Sequence, residues 1–189
     1  MVIIKTRDSS GLNWRVYHKS IITGVRENID LSSTGAKFTS GANMWGSALP
    51  TSTVVGSTAG NTVGGNDKSI AYCFAPVVGY SSFGSYTGNG SSDGPFVYTG
   101  FRPKWVLTKR TDSTSDWELN DSVRSTYNVV DDQIYPNLSS AEDANNAVAM
   151  DYLSNGFKIR NTITQQNASG GTYIYIAFAE SPFNYSRAR

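Results

Sequence analysis

Two short blocks of this sequence recur in the same order and at nearly the same spacing. Arg7, Ser10 and Trp14 fall on Arg110, Ser113 and Trp117 at an offset of 103, while Ile70, Phe74 and Ala75 fall on Ile174, Phe178 and Ala179 at an offset of 104. One inserted residue between the blocks reconciles the two offsets. Each copy reads as a hairpin carrying a tryptophan, then a stretch of weaker signal, then an apolar strand of pattern IxxxFA. A chain that repeats such a unit has two similar apolar faces, and joining them face to face buries both. A half of this size makes only a modest core and is marginal without disulfides, and the sequence has a single cysteine, Cys73. The expectation is an all-β, antiparallel β-sandwich of jelly-roll or lectin-like kind. It would be a single domain over residues 1–189, built from two duplicated halves at about 1–83 and 104–189. Two tandem domains are the alternative.

Strand signals follow one plan twice. Residues 2–7 (VIIKTR) are β-branched, DSSG makes a turn, and residues 13–17 (NWRVY) alternate, which predicts a hairpin. Residues 29–31, 37–39 and 53–55 are short strand candidates among Gly/Ser/Thr loops. Residues 70–75 (IAYCFA) and 76–80 are the most apolar part of the first half, short enough for a buried strand. In the second half, residues 105–110, 116–119, 147–153, 157–160 and 173–179 read as strands, with Val148, Met150 and Tyr152 on one face. Ser154-Asn155-Gly156 predicts a hairpin turn, because Asn-Gly tolerates positive φ. The helix candidate is 139–146, capped by Ser140 and too short to stand without tertiary support.

Between the copies lies GSYTGNGSSDGPFVYTGFRP, residues 84–103. A flexible Gly/Ser coil has no use for aromatic groups, yet Tyr86, Phe96, Tyr98 and Phe101 are spaced through this run. It reads as an ordered crossover that packs onto the sandwich and sets the register of the second half. The second copy is introduced by Gly100-Phe101-Arg102-Pro103, and the first has no equivalent, since Met1 stands directly before VIIK.

The chemistry-bearing residues are sparse. Net charge is +1 with no Lys/Arg run, so no basic face for nucleic acid shows. No apolar stretch approaches the roughly 20 residues of a membrane helix, and MVIIKTRDSS does not read as a signal peptide. Cys73 reads as a small buried hydrophobe. His18 is the one histidine, so a Ser-His-Asp, Cys-His or zinc arrangement within the chain would have to use it, and no signature surrounds it. Asp112, Asp116, Asp121, Asp131, Asp132, Glu142, Asp143 and Asp151 show no spacing that selects the facing pair a glycosidase needs. Neither Asp131-Asp132 nor GNGSSDG follows the alternating ligand pattern of a calcium loop. GSYTGNG lacks the Lys-Ser/Thr and the helix of a phosphate-binding loop. The reading is of no enzyme, no metal and no cofactor.

Aromatic side chains offer the remaining candidates. Trp14 and Trp117 hold equivalent repeat positions, which predicts core or interface roles. Trp45, Tyr80, Tyr86 and Tyr98 lie in or near loops and are the candidate ligand-binding surface residues, since aromatics give large contact area at low entropy cost.

The block from residue 70 to 117, IAYCFAPVVGYSSFGSYTGNGSSDGPFVYTGFRPKWVLTKRTDSTSDW, together with LSNGFKIRN, NASGGTYIYIAFAESPF and NYSRAR, resembles a module of unknown function in marine bacteriophage proteins. That module occurs in structural and tail-fibre-like proteins, often beside lectin-like sandwiches. The resemblance implies a non-enzymatic protein of the phage particle surface, a tail-fibre or receptor-binding module first and a capsid decoration protein second. It implies other phage structural proteins and self-association as partners, with a host surface glycan as ligand. A carbohydrate-active depolymerase on the same scaffold is the rival from another class.

Overall fold

The β-branched and aromatic runs become strands, and the computed structural model describes residues 1–8, 10–56, 68–144 and 148–181. In chain order the first strands are β1 (Val2–Thr6), β2 (Arg15–Tyr17), β3 (Glu27–Asp30), β4 (Phe38–Thr39) and β5 (Ser69–Cys73). Next come β6 (Ser81–Thr87), β7 (Phe96–Tyr98), β8 (Pro103–Arg110), β9 (Trp117–Asp121), β10 (Asp132–Ile134) and β11 (Asp143–Ala144). The chain continues through β12 (Met150–Leu153), β13 (Gly156–Ile159), a one-turn helix α1 (Thr164–Asn167) and β14 (Thr172–Ala179). They form antiparallel sheets of order β4-β3-β2-β1-β5, β11-β10-β9-β8-β14-β6 and β12-β13-β7, so the fold is all-β.

The two large sheets pack face to face, as a β-sandwich does. Ile3, Val16 and Ile29 of the first meet Leu107, Leu119, Ile174 and Ile176 of the second, each fully buried aliphatic side chain adding about 1.5–3 kcal/mol. Trp117 lies in the same layer and donates its indole N–H to the Asp30 carbonyl at 2.9 Å. The outer face of the first sheet, with Val2, Ile4 and Tyr17, is covered by Met44 and Trp45 from a loop. The outer face of the second, with Val106, Tyr173 and Tyr175, lies under Val97, Tyr152, Phe157 and Ile159 of the three-stranded sheet.

The pairings of the two large sheets correspond position by position. Ile3↔Tyr72 and Lys5↔Ile70 recur as Leu107↔Ile176 and Lys109↔Ile174, every residue displaced by 104. Ile3↔Val16 recurs as Leu107↔Leu119, displaced by 104 and 103. Asn28↔Phe38 recurs as Gln133↔Asp143, displaced by 105. Even a side-chain bond repeats: Lys5 Nζ donates to Leu12 O and Lys109 Nζ to Ser115 O. The second sheet has one strand more, β6, on the outer edge of β14.

Residues 84–103 are built into this scaffold. They complete β6, cross as a loop and β7, and enter β8 at Pro103. Gly84 pairs with Tyr175, and a Cβ there would lie 2.7 Å from the Tyr175 ring, so only glycine lets that ring lie across the strand.

Several sequence expectations need correction. Residues 139–142 are not helical and Asp143–Ala144 is strand β11, because pairing with β10 outweighs the weak propensity of so short a helix; residues 145–147 lie outside the described ones. Residues 53–55 form no strand. The IAYCFA run is an edge strand rather than a buried one, and Cys73 is exposed. The 154–156 hairpin is present, with Leu153 paired to Gly156, but neither Asn155 nor Gly156 has positive φ. Gly156 is needed for a different reason: a Cβ there would stand 2.2 Å from the Val97 carbonyl oxygen.

Candidate functional site

The largest departure from ordinary burial is along β5. It ends the first sheet, and all five of its residues are exposed, with Ile70 at 42% and Tyr72 at 44%. The corresponding residues of β14, Tyr173 to Ala177, are all buried. Tyr72 keeps one face on Trp14, with ring centroids 6.2 Å apart. After β5 the chain turns back through Phe74, whose ring meets Phe83 and Phe178. The turn at 77–81 is closed by Ser81, whose hydroxyl donates to Ala75 O and accepts from Val77 N–H. That turn presents Val77, Tyr80 and the fully exposed Val78. Contiguous exposed apolar groups of this kind mark contact surfaces in soluble proteins.

Beside β5 lies an open groove of about 380 Å³, walled by residues 50–55 on one side and 73–76 on the other, with Val2 and Tyr17 at its floor. Lys19 is the charged side chain on its rim. Between Ser69 and Cys73 the edge carries no charge. Edge strands are usually blunted by charge, proline or a bulge.

The four aromatic residues singled out from the sequence do not form one site. Trp45 is completely buried, its indole N–H donated to Glu27 O at 2.7 Å and its ring against Tyr17. Tyr86 is buried too, stacked on Tyr173 at 4.9 Å with its hydroxyl donating to Gln166 O. Neither presents a free ring face, so both leave the set of surface platforms. Trp45 was misplaced because its loop folds back as the cover of the first sheet, and Tyr86 because it belongs to β6. Tyr98, at 67%, and Tyr80, which rests edge-on against Phe178, are exposed.

Buried ionisable groups are the other feature to weigh as chemistry. Glu118 is 1% exposed, and burial pushes its carboxyl up to about 8 despite a hydrogen bond from Gln166; its Oε2 has no hydrogen-bond partner among the described residues. In WELND, an alternating strand, its position reads as solvent-facing, so the sequence offered no signal for it. His18 is buried and pushed down to about 4, chiefly by burial, with Nδ1 accepting from Ser20 N–H. Lys109 is buried and lowered to about 8 by burial, its ammonium donating to Thr34 O and Ser115 O. These three groups are enclosed, and none of them lines the groove beside β5. Among the described residues no cluster of three His, Cys, Asp or Glu is placed to hold a metal, and no helix is long and apolar enough to cross a membrane.

Comparison with known proteins bears on the whole chain. A family described as a domain of unknown function (DUF7483) matches residues 1–182. The chain belongs to that family. No curated protein and no solved structure matches it. In this DUF7483 chain, then, surface geometry carries the functional argument, and its most distinctive surface is the β5 edge with the adjoining groove and turn.

Proposed function

We propose that this chain is a non-enzymatic structural protein of a bacteriophage particle surface, acting first as a tail-fibre-like, receptor-binding or tail-associated module. The observation that carries the reading is the uncharged, apolar β5 edge continuing into the exposed Val77, Val78 and Tyr80 turn. A surface of that chemistry is stabilised by contact with another protein. The resemblance of residues 70–117 to phage structural modules supports the particle as its setting. The recurrence of strand pairings at offsets of 103 to 105 supports a duplicated unit, so one sandwich offers two related but unequal halves.

Electron microscopy of purified particles tests this. The expected outcome is density for the chain at the tail; density confined to the capsid lattice would favour the decoration role. Absence of the chain from purified particles by mass spectrometry refutes the reading, as does shortening of host surface polysaccharide by the purified protein.

A further inference from the structure

We propose that the β5 edge and the groove beside it take up an extended strand from a partner protein, one with the chemistry of residues 81–103: an uncharged, aromatic-bearing first strand and further aromatic groups behind it. The second half of the molecule shows the same site filled. There β14, the counterpart of β5, pairs with β6 from Thr172↔Thr87 to Phe178↔Ser81, seven positions in succession. Displaced by 104, those seven positions are residues 68–74, which include all of β5. Among the described residues no strand lies on that outer edge.

The groove corresponds as closely as the edge does. The main-chain N–H of Trp45 donates to Val25 O as that of Met150 donates to Val130 O, both residues displaced by 105. By that displacement β13 maps onto residues 51–54, one wall of the groove. In the second half β7 pairs with β13 on one side, and residues 102–103 meet Ala179 and Glu180 on the other: Pro103 pairs with Ala179, and Glu180 N–H donates to Arg102 O. Displaced by 104, Ala179 and Glu180 are Ala75 and Pro76, the other wall. The groove of the first half therefore stands where the second half holds residues 96–102, and Val97 and Phe101 show which side chains such an occupant buries. Chemistry agrees with position. β6 (SSFGSYT) is uncharged, and of the seven positions it would meet only Lys68, at one end, is charged, so β5 itself (SIAYC) lacks the charges that normally repel an added strand. Strand addition takes affinity from main-chain hydrogen bonds and specificity from alternate side chains in pockets.

The inference rests on the β5 edge being a contact surface, and it does not depend on where a particle carries the chain. It is tested by titrating the full chain with a labelled synthetic peptide of residues 81–103, read by fluorescence anisotropy, with a shuffled peptide as control. Saturable binding of the ordered peptide alone is expected, with slowed amide hydrogen exchange over residues 69–73. Ala71→Lys, an exposed edge position whose change leaves the cores intact, should weaken binding about tenfold or more, the scale of a lost interface anchor. No saturation up to about 1 mM, the weak limit of specific association, overturns the proposal, as does unchanged exchange at 69–73 in the saturated protein. A dimer held through residues 69–73 that the peptide does not dissociate also overturns it, because the occupant is then a second copy. Peptide failure with the chain found on particles leaves the proposed function standing, and peptide binding with the chain absent from particles does the reverse.

Discussion

Replacing Glu118 by glutamine should remove a specific pH dependence of stability. The carboxyl is 1% exposed on β9; burial raises it to about 8 and Asp116 adds to the rise, while Gln166 and Lys109 oppose it. An unfolded chain leaves it near its ordinary value of 4.5. Between those values the folded state holds a proton that the unfolded state has released. The folded state thus binds more protons, and stability falls as pH rises from about 4.5 to about 8. Each pH unit inside that window costs about 1.4 kcal/mol, so by neutral pH the accumulated cost is about 3 kcal/mol. Glutamine has the same shape and cannot ionise. Urea unfolding of the wild type and Glu118→Gln at several pH values across that window should show the variant gaining on the wild type by about that amount as pH rises. A stability difference that stays constant across the range refutes the assignment of a buried, proton-holding carboxyl.

His18 should act in the opposite direction at lower pH. Its folded value of about 4 lies below the ordinary 6.5, so the unfolded state binds the proton first. That contribution, about 3 kcal/mol, is intact above 6.5 and lost as pH falls toward 4; thermal unfolding of His18→Gln should show a flatter acid limb. Gly156→Ala forces a Cβ against Val97 O and should cost about 1–3 kcal/mol by calorimetry. Gly41→Ala, with nothing within 4 Å of the new Cβ, serves as the near-neutral comparison. Trp117→Phe deletes the bond to Asp30 O, leaving that carbonyl only the longer bond from Ser33 N–H at 3.4 Å, and should cost about 0.5–1.5 kcal/mol, with hydrogen exchange rising in both sheets rather than in one.

Much of the scaffold was readable from the sequence, because strand pairing there rests on local signals. The β-branched VIIKT, the alternation in NWRVY and its partner around Trp117, and the apolar YIYIAFA each announce a strand by period and composition. The regular aromatics of residues 84–103 announced order in a glycine-rich run. What stayed hidden depends on sheet order, which no local pattern carries. IAYCFA and YIYIAFA look alike, yet one ends a sheet and the other is central, so one is exposed and the other buried. Trp45 and Tyr86 sit beside small residues as surface groups do, and only the folding of their segments over a sheet face buries them. Glu118 went unnoticed for the same reason, since a polar residue in an alternating strand is read as solvated until another layer covers that face.

The position of β14 bears on how the molecule is made. β14, the last strand in chain order among the described residues, lies between β8 and β6 in its sheet and is hydrogen-bonded to both. On the ribosome β6 and β8 must wait as two open edges until residues 172–179 emerge, because no other strand can bridge them. Closure of the sheet therefore waits for β14, and it joins segments whose sequence separation makes pairing slow. A nascent or truncated chain that stops short of β14 exposes both edges at once, which makes it a target for strand-capturing chaperones or for its own aggregation.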